Sequence, residues 1–467
     1  MGYSGFLNCI SGAVAFFRSI PKSKKVMIVS HLDADGISAA SILIRAMERD
    51  GRKHSLMIIP QIERKMIEEL PDDCDLFFFT DTGSGNLSYI DTYLRHKKVI
   101  ILDHHVHEKN VKLHENIFHV NPQLFNLSYE EISGAGVVYL FAKELDNENE
   151  DLAHLALVGA IGDMQENNGF QYLNNQILMN GIAKGLVQIK TGLNLFGMHS
   201  RPLHKLLAFS TAPKFPGIYG NEDAALAFLT NLGISPQKEA RWRYFDDLTK
   251  DEKIRLESAL LAFSSSENIK APFGISYVLP HQKDPILGDL REFATVLNAC
   301  GRLHKEEYGI GACLDDPILQ KRAVELLFDY KKALTNALDW VKKNERNGKS
   351  IIKRENLVII NAKDHIAPTI AGTITSMLAK TNAFPEGTLI TTLARVDDNF
   401  TKASLRIVGL NKTSSMHSIL FDVIKKVGGE VGGHFSAAGA LISQDKEDIF
   451  ISELIEKIEN KEEKILS

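Results

Sequence analysis

The sequence predicts an α/β protein: a doubly wound, mainly parallel sheet at the N-terminus, a helical insertion, and a smaller second α/β domain. Three observations lead there. Between Lys25 and Asp103, short apolar runs without strict polar alternation (VMIVS, HSLMIIP, LFFFT, KVIILD) are separated by amphipathic stretches (GISAASILIRAMERD, QIERKMIEEL, NLSYIDTYLRH). Such runs are strands buried on both faces of a parallel sheet. A second alternation of strand-like and helical segments follows residue 271. Polar residues directly follow three of the first runs, as HLDADG, DTG and DHH. In doubly wound sheets ligands bind beyond the carboxyl ends of the strands.

Taken in order, the N-terminal MGYSGFLNCISGAVAFFRSI is apolar but broken by Asn8, Ser11 and Gly12 and lacks a basic leading region. It fits a short packing helix better than a signal peptide or membrane span. After the strand-helix units, IFHVNPQLFNLSYEEISGAGVVYLFAKEL and LAHLALVGAIGDMQE form a more helical stretch closing a first domain over 1–190, with Asp163 near a helix end. Residues 191–270 read as a helical connector or insertion, with a cationic aromatic patch, Arg241, Trp242, Arg243, Tyr244 and Phe245. The second domain, 271–467, opens with a strand in GISYVLP, a helix in REFATVLNACGRL, a strand in GIGACL and a long amphipathic helix over 316–345. Beyond NERNGKS come strand LVIIN, helix IAGTITSMLAK, strands GTLITTLARV and ASLRIVG, helix SILFDVIKKV, the segment GGEVGGHFSAAGA and a charged C-terminal helix.

Composition excludes several classes. A chain of 467 residues, 44% hydrophobic and 24% charged, is an ordinary globular protein of two or three domains, not a disordered one. Its four cysteines have no CxxC spacing, which argues against a zinc knuckle and a disulfide framework and makes the cytoplasm the natural compartment. The formal net charge of -5 does not announce a nucleic-acid binder, although a basic groove can coexist with an acidic remainder.

In HLDADG, Asp33 and Asp35 stand two apart, so on an extended strand they face one way, with His31 in the same parity. A sharp turn at Gly36 bends them towards one ion. Ordinary turns also place two carboxylates before a glycine. Asp81 follows LFFFT, where an unpaired carboxylate is expensive and a compensating cation is expected; a helix cap accounts for it equally. DHH brings Asp103, His104 and His105 to one strand end, as metal ligands or a proton donor, while His107 further along reads as a surface histidine. Asp163 of GDM completes the set. Separate turn and cap explanations would have to coincide at each of these element ends, whereas a shared metal site needs one cause. Histidine mixed with carboxylate suits Mn²⁺, Fe²⁺, Co²⁺ or Zn²⁺, and Mg²⁺ favours oxygen alone; the set points towards manganese.

With these residues in view, HLDADG, DTG, DHH and GDM resemble the four motifs of the DHH phosphoesterase superfamily, and GGHFSAAG resembles the glycine-rich motif of its associated C-terminal domain. The resemblance spans almost the whole chain. SHLDADG, DTGSG, ISGAGVVY, VGAIGDMQE, LNACGRL and GGEVGGHFSAAG together look most like archaeal RecJ-type single-strand-specific exonucleases, including the nuclease associated with the GINS replication complex. The resemblance implies His31, Asp33, Asp35, Asp81, His104 and Asp163 as ligands of two divalent ions, most of all Mn²⁺ with Mg²⁺ or Co²⁺ as alternatives, and Asp81 as the bridge. Asp103 would orient an imidazole, and His105 would contact the scissile phosphate or protonate the leaving oxygen. Many members read GGGH where this chain has Val431, Gly432, Gly433 and His434, which puts backbone contacts near Val431 in doubt.

Two bridged ions would supply an activated water and neutralise phosphoryl charge. Carboxylates alone repel such a substrate, so cationic and amide donors must come from elsewhere. Arg406, Gly432, Gly433 and His434 are the expected donors, which makes a cleft between the domains the expected active site. Arg406 as an edge-strand surface arginine is the alternative. Asn298 and Arg302 either contact a nucleotide or cap their own helix, and Ser133 with Gly134 forms either a phosphate-binding helix N-terminus or an ordinary N-cap. The expected activity is exonucleolytic release of mononucleotides from single-stranded DNA or RNA in replication or repair, with bases stacking on side chains such as Trp242 or Tyr244 and with GINS or another replication or repair complex as partner. A phosphodiesterase for short oligoribonucleotides or other small nucleotides, and a replication scaffold, remain the alternatives.

Overall fold

Helix α1 (Tyr3–Arg18) opens the chain and buries Phe6, Ile10, Ala13, Val14 and Phe17, which the three- and four-residue spacing places on one face. The computed structural model describes residues 2–466 apart from 129, 168, 347, 381–383, 410–415 and 434–436. The apolar runs become β1 (Val26–His31), β2 (His54–Ile59), β3 (Leu76–Thr80) and β4 (Lys98–Leu102), joined by β5 (Ile117–Val120) into a parallel sheet of order β2-β1-β3-β4-β5. The fifth strand corrects the expectation of a helical stretch: IFHV is too short to carry a helical period, and pairing with β4 decides its state. Between the strands run α2 (Ala34–Arg49), the short α3 (Arg64–Glu68) and α4 (Leu87–Leu94). The strand order reverses between β1 and β3, so the residues after these two strands flank the switch-point crevice.

Helices α5 (Gly134–Leu145), α6 (Ala153–Gly162) and α7 (Tyr172–Ala183) follow, and α5 and α6 pack on α2. Then comes the insertion: β6 (Gln188–Leu193), α8 (Leu203–Ala208), α9 (Glu222–Asn231), the two-residue strands β7 (Gln237–Lys238) and β8 (Arg241–Trp242), and α10 (Lys250–Ser266). It has its own core around Leu203, Leu207, Phe215, Leu229, Leu256 and Leu260. Strand β9 (Phe273–Val278) returns antiparallel to β6.

Next are α11 (Pro285–Gly288), α12 (Leu290–Arg302), α13 (Glu306–Cys313) and the long α14 (Pro317–Lys343). GIGACL, expected as a strand, lies mostly in α13. It is a short apolar run with no period of its own, and packing of α13 against α12 and α2 settles it. The chain divides into two compact units at Leu327/Phe328, inside α14. Residues 271–327 therefore pack with the N-terminal unit, and the boundary expected at 271 moves downstream, because α12 buries Leu290, Phe293, Val296 and Leu297 and contacts α2 and α6.

The C-terminal unit holds a six-stranded mixed sheet of β10 (Ile351–Arg354), β11 (Leu357–Lys363), β12 (Leu389–Arg395), β13 (Phe400–Ile407), β14 (Glu430–Gly433) and β15 (Ala437–Ser443), in order β10-β11-β12-β13-β15-β14. Its helices are α15 (Pro368–Lys380), α16 (Met416–Val427) and α17 (Glu447–Leu466). Leu420, Val423, Phe450 and Leu454 pack on Leu393, Leu405 and Ile442 of the sheet. Among the described residues no helix is long and apolar enough to cross a membrane.

Candidate metal centre

Each ligand expected in the N-terminal unit stands at the end of an element. His31 ends β1, Asp33 is the N-cap of α2, Asp35 lies in its first turn, Asp81 follows β3, His104 lies just beyond β4, and Asp163 is the C-cap of α6. Asp33 and Asp35 are thus not on an extended strand, and they turn to different neighbours. Three groups overlap: His31, Asp33 and Asp81; Asp81, His104 and His105; Asp35, His104 and Asp163. Within each group the ligand atoms lie within 4.8 Å of one another.

Asp81 belongs to two of the groups, and His104 links it to the third. Its Oδ2 lies 3.7 Å from His31 Nδ1 and its Oδ1 3.5 Å from His104 Nε2. His104 Nε2 is also 3.2 Å from Asp163 Oδ2 and 3.7 Å from Asp35 Oδ2. Asp81 holds its backbone at φ 54°, in the left-handed region that aspartate tolerates better than most residues, with its N–H donating to Leu102 O.

The donor set fits divalent cations. Among the described residues, Asp81 Oδ1 and both ring nitrogens of His104 are buried without a hydrogen-bond partner, a costly arrangement unless something else satisfies them. Burial, then the charges of Asp81 and Asp163, push the Asp35 carboxyl well above its usual range. Burial disfavours a charged His31, yet Asp33 and Asp81 outweigh it and raise the imidazole to about 10; burial is likewise overcome at His104 by Asp163 and Asp81. Burial opposes ionisation of Asp33 too, but His31, Arg302 and the Gly36 N–H hold its carboxyl well below the usual range. Carboxylates packed this closely call for positive charge, and a bound cation would take the place of those protons.

Behind the centre, buried Asp103 accepts from the Ser84 N–H (2.8 Å), the His104 N–H (2.8 Å) and His105 Nδ1 (2.8 Å). The imidazole that Asp103 orients is therefore that of His105. Burial disfavours the Asp103 carboxylate, but His105 outweighs it and keeps the group ionised, while Asp103 in turn raises His105 against its own burial. Sequence reasoning missed the two carboxamides that grip this loop. Asn121 Nδ2 donates to His105 O (2.8 Å) and Ser84 Oγ (2.9 Å), and Gln123 Nε2 donates to His104 O (2.7 Å). The polar NPQ directly after the apolar IFHV was the available signal. Ser30 and Thr80 were missed as well: Thr80 Oγ1 donates to Ser30 Oγ, which donates to Gly36 O and ties β3 to the turn.

The expected substrate contacts divide. Ser133 is buried and its Oγ accepts from the Gly136 N–H (3.1 Å), so it is an ordinary N-cap. The N–H groups of Gly134 and Ala135 donate to Asp35 (2.7 and 3.0 Å), so the α5 N-terminus holds a protein carboxylate in place of a phosphate. Asn298 accepts from the Ala34 N–H (3.1 Å), capping α2 and not its own helix, while Arg302 lies close enough to lower the Asp33 pKa. Gly301 permits this approach, since a Cβ there would sit 1.6 Å from Leu32 O.

In the C-terminal unit Arg406 lies on the interior strand β13, not at an edge, and donates from Nε to Ser376 Oγ (2.9 Å). Arg406 pairs with Ala437, and Gly432 and Gly433 pair with Gly439 and Ala438, so all three expected residues share one end of that sheet. His434 lies outside the described residues. In the insertion, Arg241 is held by Asp247 and Arg243 by Glu252, both through two bonds, and the Trp242 ring lies 4.1 Å from that of His204. Both arginines of the patch are thus paired with carboxylates of the same insertion.

Comparison with known proteins agrees with this architecture. Residues 25–160 match the N-terminal domain of the DHH family, 195–272 the DHH-CID domain and 355–460 the DHHA1 domain. Over 441 residues the chain is 30% identical to an uncharacterised protein of Methanocaldococcus jannaschii, covering 93% of each. Over 205 residues it is 28% identical to a prophage-derived Bacillus subtilis protein provisionally named a single-strand DNA-specific exonuclease, covering 40% of this chain and 33% of that one. Among solved structures, RecJ of Thermus thermophilus in complex with Mn²⁺ superposes with a TM-score of 0.59 at 17% identity over 96% of this chain; the match spans 54% of that RecJ, about half its length. CDC45 of Entamoeba histolytica superposes with a TM-score of 0.68 at 13% identity, covering 98% of this chain and 99% of that one. At these identities the likeness is one of fold. The three matched domains in this order, with the near full-length relative, show that the chain belongs to the DHH superfamily and is RecJ-like in build.

Proposed function

We propose that this chain is a metal-dependent exonuclease that hydrolyses phosphodiester bonds of single-stranded DNA or RNA and releases nucleoside monophosphates. The observation that carries the reading is the placement of Asp81, whose two carboxylate oxygens face two different histidines in overlapping ligand groups. That is the arrangement a bridging ligand needs to hold two ions. His31 and Asp33 would complete one site, and Asp35, His104 and Asp163 the other. Bound there, two divalent ions, Mn²⁺ foremost with Mg²⁺ or Co²⁺ able to replace it, supply an activated water and neutralise charge on the phosphoryl oxygens. The likeness to the Bacillus subtilis relative, provisionally named an exonuclease, supports the nuclease reading, and the RecJ-like fold is consistent with it.

The chain's own residues have the following roles in it. Asp103 fixes His105 Nδ1, so the other ring nitrogen serves the scissile phosphate or gives a proton to the leaving oxygen. Arg302 adds positive charge beside Asp33, and Asn298 holds the α2 N-terminus on which Asp33 and Asp35 sit. Arg406, with Gly432, Gly433 and His434, is the proposed phosphate and nucleotide contact of the C-terminal unit. The replication or repair setting, with GINS or another complex as partner, is part of the same proposal. A second reading, a replication scaffold, is favoured by the likeness to CDC45. The complete ligand set weighs against it.

Purified protein incubated with single-stranded DNA and RNA labelled at either end, in Mn²⁺ or Mg²⁺, tests the reading beside Asp81→Ala. Release of mononucleotides by the parent and none by the folded variant is expected. Equal activity in both would sink the metal centre, and an inert parent would leave the scaffold reading.

A further inference from the structure

Asp163 differs from the other expected ligands in where it stands. Those lie at strand ends or at the start of α2, whereas Asp163 caps the C-terminus of α6, and its side chain is 27% exposed against 0% for Asp35 and 4% for His104 beside it. The turn that follows leaves the helix through Met164 at φ 59°, a conformation that favours glycine, with the Met164 N–H donating to Ile161 O and the Gln165 N–H to Ala160 O (both 2.9 Å). Side chains from two other helices hold this turn. Asn174 of α7 donates from Nδ2 to Gln165 Oε1 (2.7 Å), and Arg291 of α12 donates from Nε to Glu166 Oε1 (3.2 Å). The Glu166 carboxylate is largely buried, and among the described residues its Oε2 has no hydrogen-bond partner, so losing the arginine would strand a charge. The same guanidinium donates from Nη1 to Asn194 Oδ1 (2.8 Å), and Asn194 Nδ2 donates to Ile275 O (2.8 Å) across the base of the insertion, where β6 pairs with β9. One planar fork therefore bonds both to the turn after Asp163 and to the insertion, a geometry that a lysine does not reproduce.

We infer that Arg291 is a positioning residue for the ion held by Asp35, His104 and Asp163, and that it makes this half of the metal centre depend on the insertion. The inference rests on the two-ion reading above and goes beyond it by making the two halves unequal. His31, Asp33 and Asp81 stand at the ends of β1 and β3 and the start of α2, and the bonds of Arg291 to Glu166 and Asn194 reach none of those elements. Helix α12 is itself anchored by Leu290, Phe293, Val296 and Leu297, so replacing Arg291 should leave the Asn298 cap on the Ala34 N–H in place.

Mn²⁺ calorimetry and paramagnetic resonance of the bound ions test this. The parent should take two ions and give the signal of a coupled pair. In Arg291→Met one ion should bind as in the parent and the other about tenfold or more weakly, the scale of lost support at a metal site, so that at low Mn²⁺ the signal becomes that of an isolated ion. Arg291→Lys, which keeps a charge facing Glu166, should recover part of the loss, and Asn194→Ala should weaken the same ion. Two ions held at parental affinity in Arg291→Met, or both weakened alike, would overturn the positioning role, and unchanged binding in Asn194→Ala would overturn the dependence on the insertion. Should Arg291→Met fail to fold, Asn194→Ala, which removes no buried apolar group, decides by the same criterion. A parent that binds fewer than two ions, or an Asp81→Ala variant that still binds two, would overturn the two-ion centre itself.

Discussion

Gly134 and Asp81 are in contact: a Cβ on Gly134 would lie 2.5 Å from Asp81 Oδ1. The first residue of α5 therefore decides where the linking carboxylate stands. Gly134→Ala should push Asp81 off His104 and weaken Mn²⁺ binding by about tenfold or more, the usual scale for disturbed metal support. Calorimetry with unchanged circular dichroism would register it; wild-type affinity would mean that Asp81 is not a ligand.

Ion binding should stabilise the N-terminal unit. By linkage, a ligand at a hundred times its dissociation constant adds about 2.7 kcal/mol. Mn²⁺ should raise Tm and chelator should reverse it, with the rise absent in Asp81→Ala. An equal rise in that variant would locate the ion elsewhere.

Asn121→Ala leaves the His105 carbonyl and Ser84 Oγ without their shared donor inside the protein. Ser84 Oγ keeps its contact with His119 Nε2, so the loss is that of two hydrogen bonds at about 0.5–1.5 kcal/mol each, and chemical denaturation should report about 1–3 kcal/mol in all. Gln123→Ala removes one bond from a half-buried site and should cost about 1 kcal/mol or less. If the carboxamide positions His104 and does not touch substrate, kcat falls in Gln123→Ala while KM is unchanged.

Gly301→Ala would drive a Cβ into the Leu32 carbonyl, a backbone group that cannot swing aside as a side chain would. Overpacking of this kind costs about 1–3 kcal/mol. Because α12 must retreat, Asn298 should release the Ala34 N–H, and hydrogen exchange at Ala34 should accelerate. Unaltered exchange would show that the cap survives the substitution.

Glu252 provides a pH test away from the metal centre. Its bonds from Arg243 hold its carboxyl at about 2, against 4.5 unperturbed. The folded value is the lower one, so the pair's contribution is complete above about 4.5 and is lost as pH falls through about 2. Glu252→Gln should flatten the acid limb of the stability profile between those values; an unchanged limb would mean that the pair contributes nothing to folding.

Much was legible because its cause is local. β1, β3 and β4 follow from apolar runs too dense for a half-exposed strand, and the acids and histidines after them stand where a parallel sheet presents its ligands. The short segments were not legible. IFHV and GIGACL lack the length to display a period, so β5 and α13 were assigned by what they pack against. Asp33 and Asp35 were read as strand neighbours, yet the helix begins between them and gives each a different partner.

By itself the sequence determined strands β1 to β4, the order of their elements and which acids and histidines stand at the strand ends, since these depend on residue type and near-neighbour spacing. Only the tertiary structure decided that Asp81 lies between His31 and His104, that Asp103 serves His105, that Asn121 and Gln123 grip the histidine loop, and that 271–327 belongs with the N-terminal unit. Those facts arise from contacts between segments far apart in the chain, and no local pattern encodes which distant carbonyl or carboxylate will lie within hydrogen-bond reach.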